Sequence, residues 1–481
     1  MKVIFIQPNW IDSKRVSDIK SLHSVTPPLG LLYLAACARK EGHKAMLIDA
    51  LAEQLTSDEV VERVGRSTPD VVALTGTTPQ ISFAFEVMKK VKALPNGKEI
   101  ITVLGGPHAT AVPAETLKKC DKIDFLVYGE GELTFTELIK ALEKKKSRAS
   151  IISSIKGLYV PSKKGPTKKE PIFSGPRPYM ENLDALPYPE RELITYWEGY
   201  HMAPSDTWRD PSTTMITSRG CPFACKYCNR AVFGRGYRCM SAGYVLGEMK
   251  HLMKRYKIRE IKFWDDVFTI DRKRTMELCD GITREKLDIV WSCETRVDLV
   301  DKEMLKKMKQ AGCWQIDYGV ESGNQELIDK ITKGIKLEQV KKAVSLTKQA
   351  GISARGYFII GLPGETVKTA KKSIDFAIEA GFDYVTFFVC VPYPGTELYE
   401  LAKKEGGIRS DDWRKYSHID FDNLIYVPPT IKDTELKGMI GESYRRFYLR
   451  PAYIIREALK IRDIDDIKKK ARGAIAILGG F

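Results

Sequence analysis

The 481-residue chain lacks any run of 18 or more apolar residues, the length a helix needs to cross a bilayer. Its start, Met1-Lys2-Val3-Ile4-Phe5-Ile6, runs straight into a strand-like pattern without a signal-peptide cleavage region, so a cytoplasmic chain is expected. Cysteine is scarce: ten residues are too few for a disulfide scaffold, and a reducing compartment suits free thiols. No second Cys-x2-Cys pair and no His-x3-5-His exists to complete a structural zinc site. The first strand is not followed by Gly-x-Gly-x-x-Gly, which argues against a nicotinamide or flavin dinucleotide. A net charge of +15 could point to nucleic acid, but its excess is local. Residues 140–170 hold ten Lys or Arg against Glu143 and Glu170, with Ser, Gly and Pro between them. That pattern reads as a solvated linker or hairpin, and no nucleic-acid partner is expected.

What the chain does have is three cysteines in eight residues: Cys221, Cys225 and Cys228 within Ser218-Arg-Gly-Cys-Pro-Phe-Ala-Cys-Lys-Tyr-Cys-Asn229. Gly220 and Pro222 bracket the first, which places the thiols on a tight loop. Three thiolates on one loop can hold one face of an iron–sulfur cluster and leave one iron open, since full ligation takes four. A zinc knuckle with a distant fourth ligand is the alternative, and Cys239 is the one neighbour to watch as that ligand. The other cysteines, Cys37, Cys120, Cys279, Cys293, Cys313 and Cys390, are scattered singly and read as small buried hydrophobes.

Length implies two or three domains, and the 43% hydrophobic content supplies a core. Apolar runs at Lys2–Gln7, Lys44–Asp49, Val71–Leu74, Ile101–Leu104 and 124–127 alternate with helical stretches, among them Leu29–Lys40 with Thr26 as its cap. They predict an α/β, doubly wound, Rossmann-like parallel sheet over residues 1–140. Thr75, Gly76, Thr77 and Thr78, then Gly105, Gly106 and His108, then Gly129, Glu130 and Gly131 follow three of its strands. Ligands bind in that crevice of open α/β sheets. Glycines there admit a bulky ligand, and the threonines offer hydroxyls to a polar tail. A basic and Pro-rich connector is expected over 141–210. Strand-like runs ending at Thr217, Trp264, Thr295, Val320, Ile360 and Val391 then predict a partial (β/α)6 barrel over 211–400, with chemistry at its carboxyl ends. Asp265, Asp266, Arg296, Glu321, Gly361 and Glu365 stand at those ends. They could clamp a zwitterion that carries an ammonium, a carboxylate and a ribose. A mainly helical C-terminal tail is expected over 401–481. Its cations and aromatics at helical spacing fit a helix packed on the barrel, with a lipid-surface helix as the alternative.

The cysteine loop, with Tyr227 before its last cysteine, resembles the signature of the radical S-adenosylmethionine (SAM) superfamily. The preceding sheet resembles the cobalamin-binding domain fused to one branch of it. Gly105-Gly-Pro-His108, Tyr128-Gly-Glu-Gly-Glu132, Asp265-Asp266 and Gly361-Leu-Pro-Gly-Glu-Thr366 are typical of that branch. The likeness covers roughly residues 1–400; the tail is similar to those beside anaerobic magnesium-protoporphyrin ester cyclases and hopanoid-type enzymes. The resemblance implies a 4Fe–4S cluster on Cys221, Cys225 and Cys228, whose open iron chelates SAM. It implies Tyr227 beside the adenine, Asp265 and Asp266 near the ammonium, Arg296 and Glu321 near the carboxylate and ribose, and Gly361 and Glu365 along the adenine wall. It also implies cobalamin on the sheet edge, at Thr75, Gly76, Thr77, Gly105, Gly106, His108, Gly129, Glu130 and Gly131. Many cobalamin domains carry Asp-x-His-x-x-Gly to ligate cobalt; this chain has none, so His108 is expected to touch the loop or the nucleotide tail instead.

The implied activity is an oxygen-sensitive radical SAM enzyme that transfers a methyl group to an unactivated carbon. The alternative is cyclisation, rearrangement or oxidation of a lipid- or tetrapyrrole-like substrate without methylation. A tRNA methylthiotransferase is set aside, since the first 140 residues hold only Cys37 and Cys120. A non-catalytic cofactor carrier is disfavoured because a carrier has no need of the barrel-end residues. The basic, aromatic tail and the net charge favour a small-molecule substrate of anionic or lipid-like character, and an external electron donor such as ferredoxin or flavodoxin is the other expected partner. Peripheral contact with a membrane is a further option.

Overall fold

The computed structural model describes residues 1–10, 24–162, 170–418 and 420–459. Its first sheet contains β1 (Lys2–Gln7), β2 (Lys44–Asp49), β3 (Val71–Leu74), β4 (Ile101–Leu104), β5 (Phe125–Val127), β6 (Leu158–Val160) and β7 (Ile172–Phe173), in the order β2-β1-β3-β4-β5-β6-β7. The side-chain period of two sends Val3 and Phe5 into one core and Ile4 and Ile6 into another, so both faces are covered and the strand reads as continuously apolar. β1 pairs in parallel with both β2 and β3, which makes the β1/β3 boundary a topological switch point. The crevice expected there lies beside Thr75–Thr78 and Gly105–His108.

Of the two readings of the basic stretch, linker or hairpin, the structure has the hairpin: β6 and β7 are antiparallel and extend the first sheet past its expected limit at residue 140. Thr26 is not the cap of the helix Leu29–Lys40: Pro28 holds that position, with no side-chain hydrogen bond.

After the connector come β8 (Ser212–Met215), a two-stranded ribbon of β9 (Ser218–Arg219) and β10 (Arg238–Cys239), and then β11 (Glu260–Phe263), β12 (Val290–Thr295), β13 (Cys313–Glu321), β14 (Ser353–Ile360) and β15 (Tyr384–Val389). The second sheet runs β15-β14-β13-β12-β11-β8, all parallel: six βα units, open between β15 and β8. Trp291, Cys293, Ile316 and Phe358 join the main core cluster, while the alternate positions Lys262, Glu294, Asp317, Arg355 and Tyr357 share the opposite, lumen face. The connector closes the lumen's floor, where Arg355 pairs with Asp206 and Lys262 Nζ lies 3.3 Å from the same carboxylate.

The tail helix Asp433–Tyr448 lies along β15, the sheet's edge. Tyr444 Oη accepts from Phe387 N (3.2 Å) and donates to Phe387 O (3.1 Å); Tyr448 Oη does the same at Val385 (3.0 and 2.6 Å). Two hydroxyls thereby satisfy the edge groups that an unprotected strand would offer to another chain. This is the barrel-packed helix expected of the tail. Pro451 starts a new helix, Pro451–Ala458, and the rest of the tail expected to be helical, from residue 460 on, falls outside the described residues. Among the described residues no helix is long and apolar enough to cross a membrane. Replacing Tyr444 and Tyr448 together by Phe is expected to cost about 1–3 kcal/mol for each hydroxyl removed. Chemical denaturation measures this, and an unchanged midpoint contradicts the edge-capping role.

Candidate functional site

The cysteine loop closes the β9–β10 ribbon, in which Ser218 pairs with Cys239 and Arg219 with Arg238. Gly220 has φ +84°, and a Cβ there would meet Gly236 O at 2.2 Å, so only glycine fits. Asp265 is buried with both oxygens occupied: Oδ1 accepts from Thr217 N (2.5 Å) and Oδ2 from Thr217 Oγ1 (2.6 Å). Arg274 bonds the Thr217 carbonyl from another side (3.2 Å). Asp265 thus fixes the chain just before the cysteines. Its neighbour Asp266 is exposed beside the Gly220 N–H, and burial of its surroundings together with Asp265 raises its pKa. Of the pair, Asp266 has an oxygen to offer a ligand.

The ribbon is bound to the first sheet by four buried charges. Arg219 reaches Glu132 Oε1 (2.5 Å) and Glu130 Oε1 (3.3 Å), and Arg238 reaches both oxygens of Glu130 (2.8 and 3.1 Å). Met180 N adds a third donor to Glu130 (3.2 Å). Arg219 also lies over Tyr33 and Phe233, and Arg238 over Tyr179. Gly129, at φ +76°, faces Val232 O of the loop. The segment Tyr128–Glu132 is therefore a seam between the sheets, and Glu130 is fully engaged in it. Gly131 begins the helix Gly131–Glu143 behind the seam.

Around the thiols, Cys225 and Cys228 are hydrogen-bonded to one another, which pulls the Cys225 thiol down to about 6, with Lys333 adding to the effect. Tyr227 Oη donates to Glu321 Oε1 (2.8 Å), and Lys333 Nζ bridges both (2.7 Å to Glu321, 2.8 Å to Tyr227). Glu321 adopts φ +72° at a β-bulge, an orientation held by this triad. A Cβ on Gly319 would stand 2.7 Å from both Glu321 and Lys333. Arg296 stacks on Phe223 of the loop (3.6 Å), chelates Asp298 (2.9 and 3.0 Å) and donates to Lys333 O (2.8 Å) and Gly334 O (3.2 Å). It braces the loop, with most of its donors already used. Cys239 Sγ lies near Asp271 (4.0 Å), on β10 rather than on the loop.

Glu365 Oε2 accepts from Gly361 N (2.5 Å) and Leu362 N (3.2 Å), while its buried Oε1 has no partner. Gly361 supplies φ +90° to this turn. On the first sheet's edge, a Cβ on Gly106 would meet Thr75 Oγ1 at 2.2 Å and Gly76 N at 3.0 Å. A Cβ on Gly105 would stand in ordinary contact with Val127 O (3.6 Å), and Thr77 bonds Gln80 through its N–H (3.0 Å) and its hydroxyl (2.9 Å). His108 is buried, with Nδ1 on Thr78 Oγ1 (3.1 Å), its ring edge-on to Trp413 (4.2 Å) and Nε2 unpartnered. Burial pushes it down to about 3, with Lys119 adding to the effect, so the ring is neutral.

These donors fit the groups that the motifs imply. Three thiols among Lys333 and Arg296 suit an anionic cluster. Among the described residues no three Cys, His, Asp or Glu side chains close on one point as a single ion requires; a cubane gives each thiolate its own iron. The pared-down edge at Gly105 and Gly106 and the orphan His108 Nε2 suit a bulky, polar cofactor. A B12 binding domain model matches residues 17–139, and a Radical SAM superfamily model matches residues 215–377. An uncharacterized methyltransferase of Pyrococcus horikoshii is 35% identical over 99% of this chain and 98% of its own length. The chain belongs to the B12-binding radical SAM family. An anaerobic magnesium-protoporphyrin IX monomethyl ester cyclase of Rubrivivax gelatinosus is 29% identical over 94% of this chain and 78% of that protein. The fold is that of TsrM from Kitasatospora setae, a radical SAM methyltransferase with cobalamin and a [4Fe-4S] cluster bound (TM-score 0.69, 16% identity, 94% of this chain and 89% of that one).

Lys333, Arg219, Arg238, Glu132 and Trp413 were not legible as site residues. Arg219 and Glu132 lay inside quoted motifs without a role of their own, and Lys333 is one of several lysines after the fourth barrel strand.

Two outcomes follow from this family member's geometry. Glu130→Ala leaves Arg219 and Arg238 short of a counter-charge and is expected to cost about 3–5 kcal/mol of stability. It is also expected to lower iron content on reconstitution with all three cysteines intact; denaturation and iron assay measure both, and wild-type values contradict the seam. Burial pushes Glu365 up to about 8, whereas an unfolded glutamate titrates near 4.5. The penalty to folding is absent below the lower value, grows between the two and is complete above the higher. Glu365→Gln keeps the acceptor and is expected to raise the melting temperature more at about pH 8 than at about pH 5. Equal gains contradict a buried, protonated Glu365.

Proposed function

We propose that the chain is a radical SAM methyltransferase acting on an unactivated carbon of a small molecule. The observation that carries this reading is the cysteine loop clamped between two sheets, by Arg219 and Arg238 to the first and by Tyr227, Glu321, Lys333 and Arg296 to the barrel. Whatever the loop binds therefore lies between the two cofactor-type edges. When bound, the cluster and cobalamin supply reductive SAM cleavage and carriage of a methyl group.

The chain's own residues supply orientation and exclusion of water. Cys221, Cys225 and Cys228 would hold the cluster, Asp266 would receive the SAM ammonium at the Gly220 turn, and Tyr227 would lie by the adenine. Asp265, Arg296 and Glu321 are assigned to positioning, since their hydrogen-bonding capacity is largely spent on Thr217, on Asp298 with Gly334, and on Tyr227 with Lys333. Gly361 and Glu365 would form the turn along the adenine, with Glu365 holding the turn through Gly361 N and Leu362 N. Gly105, Gly106, Thr75, Gly76, Thr77 and His108 would line the cobalamin edge. Residues 1–140, 211–400 and 401–481 would serve as cobalamin domain, barrel and C-terminal cover.

An external one-electron donor of the ferredoxin or flavodoxin kind would reduce the cluster. The apolar side chains of Ile455 (61% exposed) on the last described helix and of Leu459 (83% exposed) at its carboxyl end support peripheral membrane contact. The 29% identity to a cyclase favours radical ring closure as the second reading.

Anaerobic incubation of reconstituted enzyme with reductant, trideuteromethyl-SAM and the small-molecule fraction of the host cells separates the two. Methyl transfer is expected to yield S-adenosylhomocysteine, 5′-deoxyadenosine and a product carrying the trideuteromethyl group. Deoxyadenosine with no labelled product would favour ring closure, and no SAM cleavage would overturn both.

A further inference from the structure

The lumen beneath the cysteine loop holds five charged groups that neither the cluster nor the proposed SAM contacts use. Lys262 Nζ lies 2.9 Å from Asp317, 3.3 Å from Asp206 and 3.9 Å from Glu294. Arg355 pairs with Asp206 and stands 3.6 Å from Asp317, to which Tyr357 Oη also donates (2.9 Å). Two cations thus face three carboxylates. Asp206 and Asp317 are closed in by their partners, whereas the Glu294 side chain is 37% exposed although its strand lies in the middle of the sheet. No donor among the described residues hydrogen-bonds it, and Lys262 is committed to the two aspartates.

Glu294 also lies at the right depth. It lies two residues before Arg296, the first residue past β12, so its Cα is about 7 Å further down the strand than that of the arginine that braces the cysteine loop. Glu294 acts electrostatically on Tyr357, whose ring packs on Phe388 at 5.7 Å, and the strand register puts the exposed Trp264, two positions after Lys262, next along the same face of the sheet. A carboxylate one charge in excess, set among aromatic faces, is the environment that attracts an organic cation. Burial pushes the Glu294 carboxyl up to about 7, with Asp317 and Asp206 raising it and Lys262 opposing. An incoming cation would complete the cluster's charge.

We propose that Glu294 is the residue that selects substrate, receiving an ammonium or similar cationic N–H group in the lumen below the cysteine loop. This replaces the anionic substrate that the net charge favoured, because most of that charge lies in residues 140–170 and not at the lumen. It rests on the radical SAM reading for the statement that substrate enters here.

Calorimetry on the reconstituted holoenzyme tests it with three probes of one size: 2-phenylethylammonium, 2-phenylethanol and 3-phenylpropanoate. The ammonium is expected to bind best. Glu294→Gln is expected to weaken it about 10-fold or more, the scale of one charge-assisted hydrogen bond, and Glu294→Asp to keep the order of preference. Cluster absorbance confirms that each variant is loaded. Equal or better binding of the propanoate by wild type, no binding of the ammonium, or an unchanged affinity in Glu294→Gln at full cluster loading would overturn the proposal. SAM cleavage is measured in the same samples. Its absence together with ammonium selectivity would remove the activity reading and leave the cation site standing.

Discussion

The structure depends on one buried arrangement of charge: Glu130 and Glu132 of the first sheet against Arg219 and Arg238 of the ribbon that carries the cysteines. Two carboxylates and two guanidiniums out of water are costly unless each is paired, so the four fix one relative placement of sheet and ribbon. Because Arg219 lies two residues before Cys221, that placement carries directly to the thiols. The seam lets a loop with little regular structure of its own hold three ligands in register. It explains why the segment Tyr128-Gly-Glu-Gly-Glu132 carries two glutamates where a cofactor edge alone would need only small residues.

The second set of supports comes from the barrel. Asp265 holds Thr217, Glu321 and Lys333 hold Tyr227, and Arg296 lies on Phe223, so the loop is gripped near its start, middle and end. Several groups expected to bind SAM directly are thus engaged with the loop. Asp266 is exposed and keeps an acceptor for a ligand, whereas the unpartnered Glu365 Oε1 is fully buried. Within the lumen, Glu294 keeps its acceptors too.

Much of the fold was legible because it rests on local apolar patterning. Strands such as Val71–Leu74 and Ile101–Leu104 are continuous buried runs, and the helix Ala242–Tyr256 follows from its period and its Ser241 cap. The hairpin of β6 and β7 was legible only as one of two readings of the basic stretch, and its pairing with the sheet was not, since strands of three and two residues give no periodic signal. The cysteine ligands were legible from spacing alone. The roles of Glu130, Asp265 and Arg296 were not: a charged residue at a strand end looks the same whether it faces a ligand or a partner from a distant segment. Glu130 meets Arg238 across 108 residues, and no local pattern reports such a pairing.

The central claim is that the clamped loop holds a cluster with one iron open to SAM. Electron–nuclear double resonance on the reduced, reconstituted protein with SAM labelled by 15N at the amino group and 17O at the carboxylate tests it most directly. Hyperfine coupling from both labels to the cluster is the expected result. Coupling from neither label, in protein with full iron content and all three cysteines present, would contradict it.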